Sequence, residues 1–156
     1  MKAASLAEIK RELKSRNPEE VLQMCLRLGR FKVDNKELLT YLLFEAEDER
    51  GFIQSIKNEI DELLEEVNTS HPYYAKKGLR KIQRVLNKNI RYSGNKNTEV
   101  EARLYFCQAI KQSGIPIEKN TTLTNLFNRE IQRIEKALLS LHEDIQADYQ
   151  YEIERL

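Results

Sequence analysis

Residues 72–92 read PYYAKKGLRKIQRVLNKNIRY, and this stretch decides the class of fold. Wound as a helix at about 100° per residue, it places six apolar side chains on one side: Ala75, Leu79, Ile82, Val85, Leu86 and Ile90. The other side holds a basic face, within an arc of about 140°, that consists of Tyr73, Lys76, Lys77, Arg80, Lys81, Arg84, Lys88 and Arg91. The period predicts an amphipathic helix with its apolar side in an all-α core.

The basic face is the one feature that stands out in a chain with a net charge of only +1. Between His71 and Thr98 there are eight basic residues and no acidic one. Such a helix face can neutralise several phosphates, and Tyr73 can stack on a base or a ribose. One prediction is therefore nucleic-acid binding that does not depend on base sequence, because Lys and Arg contacts to phosphate position a ligand without reading it.

An acidic stretch immediately before the basic helix offers a second interpretation. Residues 45–66 hold nine acidic residues against Arg50 and Lys57, and only residues 67–70 separate them from the basic helix. In an antiparallel hairpin the two helices would pair their flanking charges, at about 0–1 kcal/mol for each exposed pair. A third interpretation is that the basic face meets an acidic protein partner. The sequence leaves all three open.

The acidic stretch belongs to a longer apolar pattern over residues 34–67. Asp34 to Glu37 form a capping box, which is typical of a helix start. A heptad-like series follows it, interrupted only by Glu49: Leu39, Leu42, Ala46, Ile53, Ile56, Ile60, Leu63 and Val67. The pattern predicts one long helix, with Gly51 beside Glu49 as the position for a kink or for a join between two helices.

The C-terminal segment, residues 121–156, also predicts one long helix with heptad character. Its seam is Phe127, Ile131, Ile134, Leu138, Leu141 and Ile145. A helix of that length extends roughly 45–50 Å, which is hard for a small domain to cover. One interpretation is that its end contacts a second copy or another protein, with Tyr149, Ile153 and Leu156 as the candidate interface. The alternative is that the long helix of residues 34–67 covers it.

The remaining segments complete a single all-α domain over residues 1–156. A capping box at Ser5 and a helix start at Asn17-Pro18 predict a short helix pair in residues 1–33, and residues 71–114 hold the basic helix and a partner helix. The expected architecture is about six helices in antiparallel hairpins, arranged as a helical bundle or a short HEAT-like array. Only 5 glycines and 3 prolines argue against sandwiches, barrels and Rossmann-type domains, which need many turns.

Catalytic motifs are missing from the sequence. Residues 142–146 begin like a zinc-protease helix, but Gln146 stands where a second histidine ligand is needed. The five glycines are isolated, so no phosphate-binding loop is formed. We expect no enzyme, no cofactor, no metal and no small-molecule substrate.

The two cysteines, Cys25 and Cys107, lie in apolar helical patterns without a CxxC motif, which is typical of free thiols in a reducing cytoplasm. The N-terminus meets charged residues before an apolar run of signal length forms, so we expect a cytoplasmic protein with no membrane segment. The predicted function is a non-enzymatic helical interaction protein, a scaffold or adaptor for a protein partner. The alternative is a nucleic-acid-binding accessory protein that uses the basic face.

Overall fold

A computed structural model describes residues 1–156 and contains eight α-helices and no β-strand. The helices are α1 Leu6–Ser15, α2 Pro18–Phe31, α3 Val33–Thr40, α4 Glu49–Glu65, α5 Pro72–Ser93, α6 Lys96–Gln112, α7 Thr121–Leu138 and α8 Glu143–Glu154. The predicted all-α class is confirmed. The expected number of about six helices is wrong, because each of the two long helices is broken into shorter ones.

The contacts between residues divide the chain into two compact units, where the sequence predicts a single domain. The N-terminal unit is Met1–Phe44 and holds α1, α2 and α3. The C-terminal unit is Glu45–Leu156 and holds α4 to α8.

The predicted single helix over residues 34–67 is wrong. Helix α3 begins at Val33, where Lys32 provides no side-chain cap, and it gives way to a π-helical turn at Tyr41–Glu45. Helix α4 then starts anew, and the Asp48 carboxylate accepts a hydrogen bond (3.0 Å) from the Gly51 N–H. A side-chain cap satisfies backbone donors at a fresh helix start, so an apolar period can continue across a break in the backbone.

The core of the C-terminal unit is built around α6, which packs against α4, α5 and α7. Helix α6 buries Val100, Ala102, Leu104, Phe106, Cys107 and Ile110. Helix α5 buries five of the six apolar residues that the sequence assigns to its core side: Ala75, Leu79, Ile82, Leu86 and Ile90. The predicted orientation of α5 is therefore confirmed.

The predicted single helix over residues 121–156 is also wrong. Helix α7 ends at Leu138, and His142 caps α8 by accepting a hydrogen bond (3.4 Å) from the Asp144 N–H. Acidic residues in the first turn of α8 favour a helix start there through the helix dipole. Helix α8 returns along α6, where Gln108 Nε2 donates to Glu152 Oε2 (3.4 Å).

The N-terminal unit has clear helix starts and almost no buried residue. Both predicted starts are confirmed, since Ser5 and Asn17 each form a complete capping box. Helices α2 and α3 pack together, and Asn35 Nδ2 donates to the Leu28 carbonyl (2.9 Å). Of residues 1–44, only Tyr41 is buried.

Candidate polyanion-binding surface

The acidic helix α4 finds its main polar partners on α6. Lys57 Nζ of α4 forms an ion pair (2.7 Å) with Glu101 Oε1 of α6. The Tyr105 hydroxyl of α6 donates to Asp61 Oδ2 of α4 (2.7 Å). This hydrogen bond, with burial and the negative charge of Asp61, raises the pKa of Tyr105 to about 12. Helices α4 and α6 therefore satisfy part of each other's polar surface.

Where α4 faces α5, two of its carboxylates accept hydrogen bonds from neutral side chains. Glu49 accepts hydrogen bonds from the hydroxyls of Ser93 and Thr98, on either side of the turn between α5 and α6. Asn89 Nδ2 donates to Glu59 Oε2 (3.0 Å). The residue that interrupts the heptad pattern in the sequence thus joins α4 to the α5–α6 turn.

Five of the seven cations on the basic face make no ion pair: Lys76, Lys77, Arg80, Arg84 and Arg91. Lys81 pairs with Glu66 (2.9 Å), just beyond the end of α4, and both side chains are exposed. Lys88 is half-buried. The acidic stretch therefore leaves most of the basic face uncompensated, which differs from the hairpin interpretation.

Helix α7 adds cations beside those of α5. A hollow of about 220 Å³ lies between the two helices, and we call it the α5–α7 hollow. Four cations line it: Lys76, Arg80, Arg129 and Arg133. No acidic residue lines it.

A second hollow, of about 790 Å³, lies at the end of α5, and we call it the α5–α6 hollow. The turn there is made by Gly94, whose φ of 65° is left-handed and therefore favours glycine. Six cations line it: Arg84, Lys88, Arg91, Lys96, Arg103 and Arg133. Arg133 lines both hollows, so the two are adjacent, and together their nine cations form what we call the basic surface.

A fully buried carboxylate lies behind the basic surface. Glu130 is 0% exposed and accepts hydrogen bonds from Gln83 Nε2 and from Arg103 Nη1, each at 2.8 Å. It also pairs with Arg133 Nη1. A buried charge is stable only when it is paired and hydrogen-bonded, and here two guanidinium groups and an amide meet that need. Glu130 thereby fixes the positions of Arg103 and Arg133.

Glu99 is the one carboxylate that lines either hollow. It pairs with Lys96 Nζ (2.7 Å) and Arg103 Nε (3.1 Å). Burial opposes the charged form of Glu99, but the hydrogen bonds and charges of Lys96 and Arg103 outweigh burial and lower the pKa of Glu99. The hollow therefore contains a stable negative charge that is already neutralised by its own neighbours.

Three residues of the predicted basic face lie outside the basic surface. Tyr73 is 63% exposed and packs edge-on against Tyr74, with ring centroids 5.4 Å apart. Lys77 and Lys81 line neither hollow; they line a third depression with Glu66, and Arg84 lies between that depression and the α5–α6 hollow. The predicted stacking partner, Tyr73, lines neither hollow.

Four cations of the basic surface were missed by the sequence interpretation: Lys96, Arg103, Arg129 and Arg133. Arg129 and Arg133 are four residues apart on α7, which puts them on one helix face. That spacing was readable, but the packing of α7 beside α5 was not. Arg103 lies in an otherwise apolar stretch, where a buried arginine implies a buried carboxylate as its partner.

The end of the chain differs from the predicted projecting helix. Ile153 is buried, and with Leu156 it lines a cavity of about 460 Å³ together with Phe127 and Ile131 of α7. Tyr149 is half-buried, and burial first, then the nearby carboxylates, raise its pKa. Ile153 is thus covered within its own unit, and an oligomer or partner contact through Tyr149 and Leu156 stays a prediction.

Comparison of the chain with known protein families, with curated protein sequences and with solved structures finds no match. No helix has the length and apolar character that crossing a membrane requires. No group of three or more His, Cys, Asp and Glu side chains is arranged to hold a metal ion.

Proposed function

We propose that this chain is a non-enzymatic binding protein whose C-terminal unit binds the phosphate backbone of nucleic acid through the basic surface. The observation that carries the proposal is the convergence of nine cations from α5, α6 and α7 on one surface, where Glu99 is the one lining carboxylate. Each phosphate that such a surface neutralises releases counterions, and this release supplies affinity that does not depend on sequence.

The composition of the surface favours phosphate over an acidic protein. Six of its nine cations are arginines, and the guanidinium fork matches two phosphate oxygens at once. Protein interfaces are centred on buried aromatic anchors, whereas no aromatic side chain lines either hollow. The same lack of aromatic residues leaves no platform for unpaired bases. Duplex nucleic acid is therefore expected to bind at least as tightly as a single strand.

The test is fluorescence anisotropy with a labelled duplex, at about 50 mM and about 200 mM salt. Micromolar binding that weakens steeply with salt is expected. The variant Arg84→Glu with Arg91→Glu should weaken binding at least about tenfold, because it reverses two charges on the basic surface. The matched control, Lys77→Glu with Lys81→Glu, reverses two charges on the same helix outside the hollows and should bind nearly as well as the parent. Equal losses in both variants, or no binding at 50 mM salt, contradict the proposal.

A separate observation favours a second function, protein–protein interaction through the N-terminal unit. This is the scaffold or adaptor role that the sequence predicts. Fourteen of the chain's eighteen exposed large hydrophobic side chains lie in residues 1–44, although this unit is less than a third of the chain. A unit of that size does not sustain a core alone, so its apolar faces need a partner. A second copy of the chain meets this need, because it is present wherever the chain is.

Sedimentation equilibrium of the full chain tests the second function. A dimer is expected at micromolar concentration, and Leu22→Glu with Leu28→Glu should convert it to a monomer. The control Leu139→Glu changes a more exposed leucine of the C-terminal unit and should leave the dimer intact. A parent chain that is monomeric at all concentrations contradicts self-association.

A further inference from the structure

The α5–α7 hollow differs from the rest of the basic surface in its symmetry and size. Each wall carries two cations four residues apart, Lys76 and Arg80 on α5 and Arg129 and Arg133 on α7. Side chains at that spacing lie one above the other on a helix, so the two pairs face each other across the hollow. Its volume of about 220 Å³ is less than a third of that of the α5–α6 hollow.

Three of these cations have no partner within the chain. Lys76, Arg80 and Arg129 make no ion pair. The fourth, Arg133, is held from behind by the buried Glu130 through one nitrogen. A guanidinium has five N–H donors, so most of those of Arg133 remain for a ligand.

Neutral donors complete the lining of the hollow. Thr122 and Asn125 both line it, and neither side chain makes a hydrogen bond within the chain. The backbone N–H groups of Thr122 and Leu123 are already bonded to the N-cap Asn120. Side chains of α5 and α7, rather than the N-terminus of α7, therefore supply the binding groups.

Four cations around a small volume favour a compact anion with more than one charge. A phosphodiester in a strand carries one charge and two terminal oxygens, whereas a phosphate monoester carries close to two charges and three terminal oxygens at neutral pH. We propose that the α5–α7 hollow is a binding site for a phosphate monoester. One source is the terminal phosphate of a nucleic-acid strand, in which case the inference rests on the proposed function. The other source is a free mononucleotide.

The position of Arg133 suggests the direction in which a bound strand would run. Because Arg133 lines both hollows, a strand whose terminal phosphate lies in the α5–α7 hollow can continue over the adjacent α5–α6 hollow. The first hollow then recognises the end of the strand, and the second neutralises its backbone.

The test compares two duplexes of one sequence, labelled internally, with either 5′-phosphate or 5′-hydroxyl ends. The full chain is expected to bind the phosphorylated duplex about tenfold more tightly, as one additional set of charge-assisted hydrogen bonds implies. The variant Arg80→Gln with Arg129→Gln should remove this preference, so that it weakens binding of the phosphorylated duplex about tenfold more than binding of the hydroxyl duplex. Both residues are exposed, and circular dichroism verifies that the variant is folded. The matched control, Arg84→Gln with Arg91→Gln, should weaken both duplexes and keep the preference.

A second arm uses a nucleoside 5′-monophosphate, its nucleoside, and inorganic phosphate, each titrated calorimetrically into the full chain. Binding of the monophosphate that the Arg80→Gln and Arg129→Gln variant loses, without binding of either duplex, supports the monoester site and contradicts the nucleic-acid function. Equal affinity for the two duplexes, with no binding of monophosphate or phosphate, overturns the monoester site and leaves the nucleic-acid function standing.

Discussion

The two units of this chain are built from similar amphipathic helices, yet they differ in what those helices bury. The N-terminal unit buries Tyr41 alone. The C-terminal unit buries 24 apolar residues, and its buried polar residues include Arg103 and Glu130. The difference is the central helix α6, which is surrounded by α4, α5 and α7. An apolar stripe specifies that a helix face needs cover, but only a helix packed on several sides turns such stripes into a core.

The two cysteines give the largest contrast, because one lies in each unit. Burial, with the charge of Glu130, raises the pKa of Cys107 to about 12, and Arg103 offsets this only in part. At pH 8 about one Cys107 in ten thousand is then a thiolate, which is the reactive form. Cys25 is only partly buried. Titration with a thiol reagent should label Cys25 at least about a thousandfold faster than Cys107.

The variant Cys25→Ala is the control, since it leaves Cys107 as the one thiol. Its labelling should require denaturant. Rapid labelling of this variant in the native state would show that the C-terminal unit is no better closed than the N-terminal one.

The buried carboxylate of Glu130 has no counterpart in the N-terminal unit, which lacks the packing to bury a charge. Replacing it in Glu130→Ala removes the fully buried partner of Arg103 and leaves Glu99 as its one carboxylate, and removing one member of a buried pair costs about 3–5 kcal/mol. Urea unfolding followed by circular dichroism measures this loss. The control Glu135→Ala, an exposed position on the same helix, should change the free energy of unfolding by less than about 0.5 kcal/mol. A loss below 1 kcal/mol at Glu130 contradicts the role given to it.

The same leucine-to-alanine substitution, made once in each unit, tests whether the two units differ in their cores. Leu86 in α5 is 0% exposed, and Leu28 in α2 is 57% exposed. Leu86→Ala should lower the free energy of unfolding by about 2–5 kcal/mol, through lost burial and a cavity. Leu28→Ala should change it by no more than about 0.5 kcal/mol in dilute, monomeric protein. Similar losses at both positions, measured by urea unfolding, would mean that the N-terminal unit has a core after all.

Glu99 provides the smallest effect, and the size of this effect depends on pH. The pKa of Glu99 is lowered from 4.5 in the folded chain, so its contribution to stability is present above about pH 4.5 and disappears as the pH falls through the folded value. Glu99→Gln should therefore cost about 1 kcal/mol or less at pH 7, and the difference from the parent should shrink below pH 4.5. The exposed Glu62→Gln on α4 is the control and should show no such change. A difference that grows towards low pH contradicts this assignment.

Helix starts and the orientation of α5 were readable from the sequence, because they depend on local signals. Ser5, Asn17 and His71 cap helices where the sequence places helix starts. The breaks before Asp48 and His142 were missed, since the apolar period continues across them and a single capping residue is a weak signal within it. Local patterns therefore determine most helix starts but not every interruption.

Only part of the candidate site could be predicted from the sequence. Cations of α5 could be identified because they share one helix face. Arg129 and Arg133 join them only through the packing of α7 beside α5, and no local pattern encodes that packing. Sequence order also suggested that acidic α4 would pair its charges with α5, the next helix. In the structure Lys57 and Asp61 of α4 instead contact Glu101 and Tyr105 of α6.

The pairing of α4 with α6 has a consequence for how the protein responds to electrolyte. With Lys57 and Asp61 engaged on α6, the cations of α5 and α7 repel one another across the hollows. Ions screen this repulsion within about 10 Å at 0.1 M salt, so added salt should raise the melting temperature of the free protein. The same salt competes with phosphate for the hollows. Thermal stability and ligand affinity are thus expected to move in opposite directions as ionic strength rises.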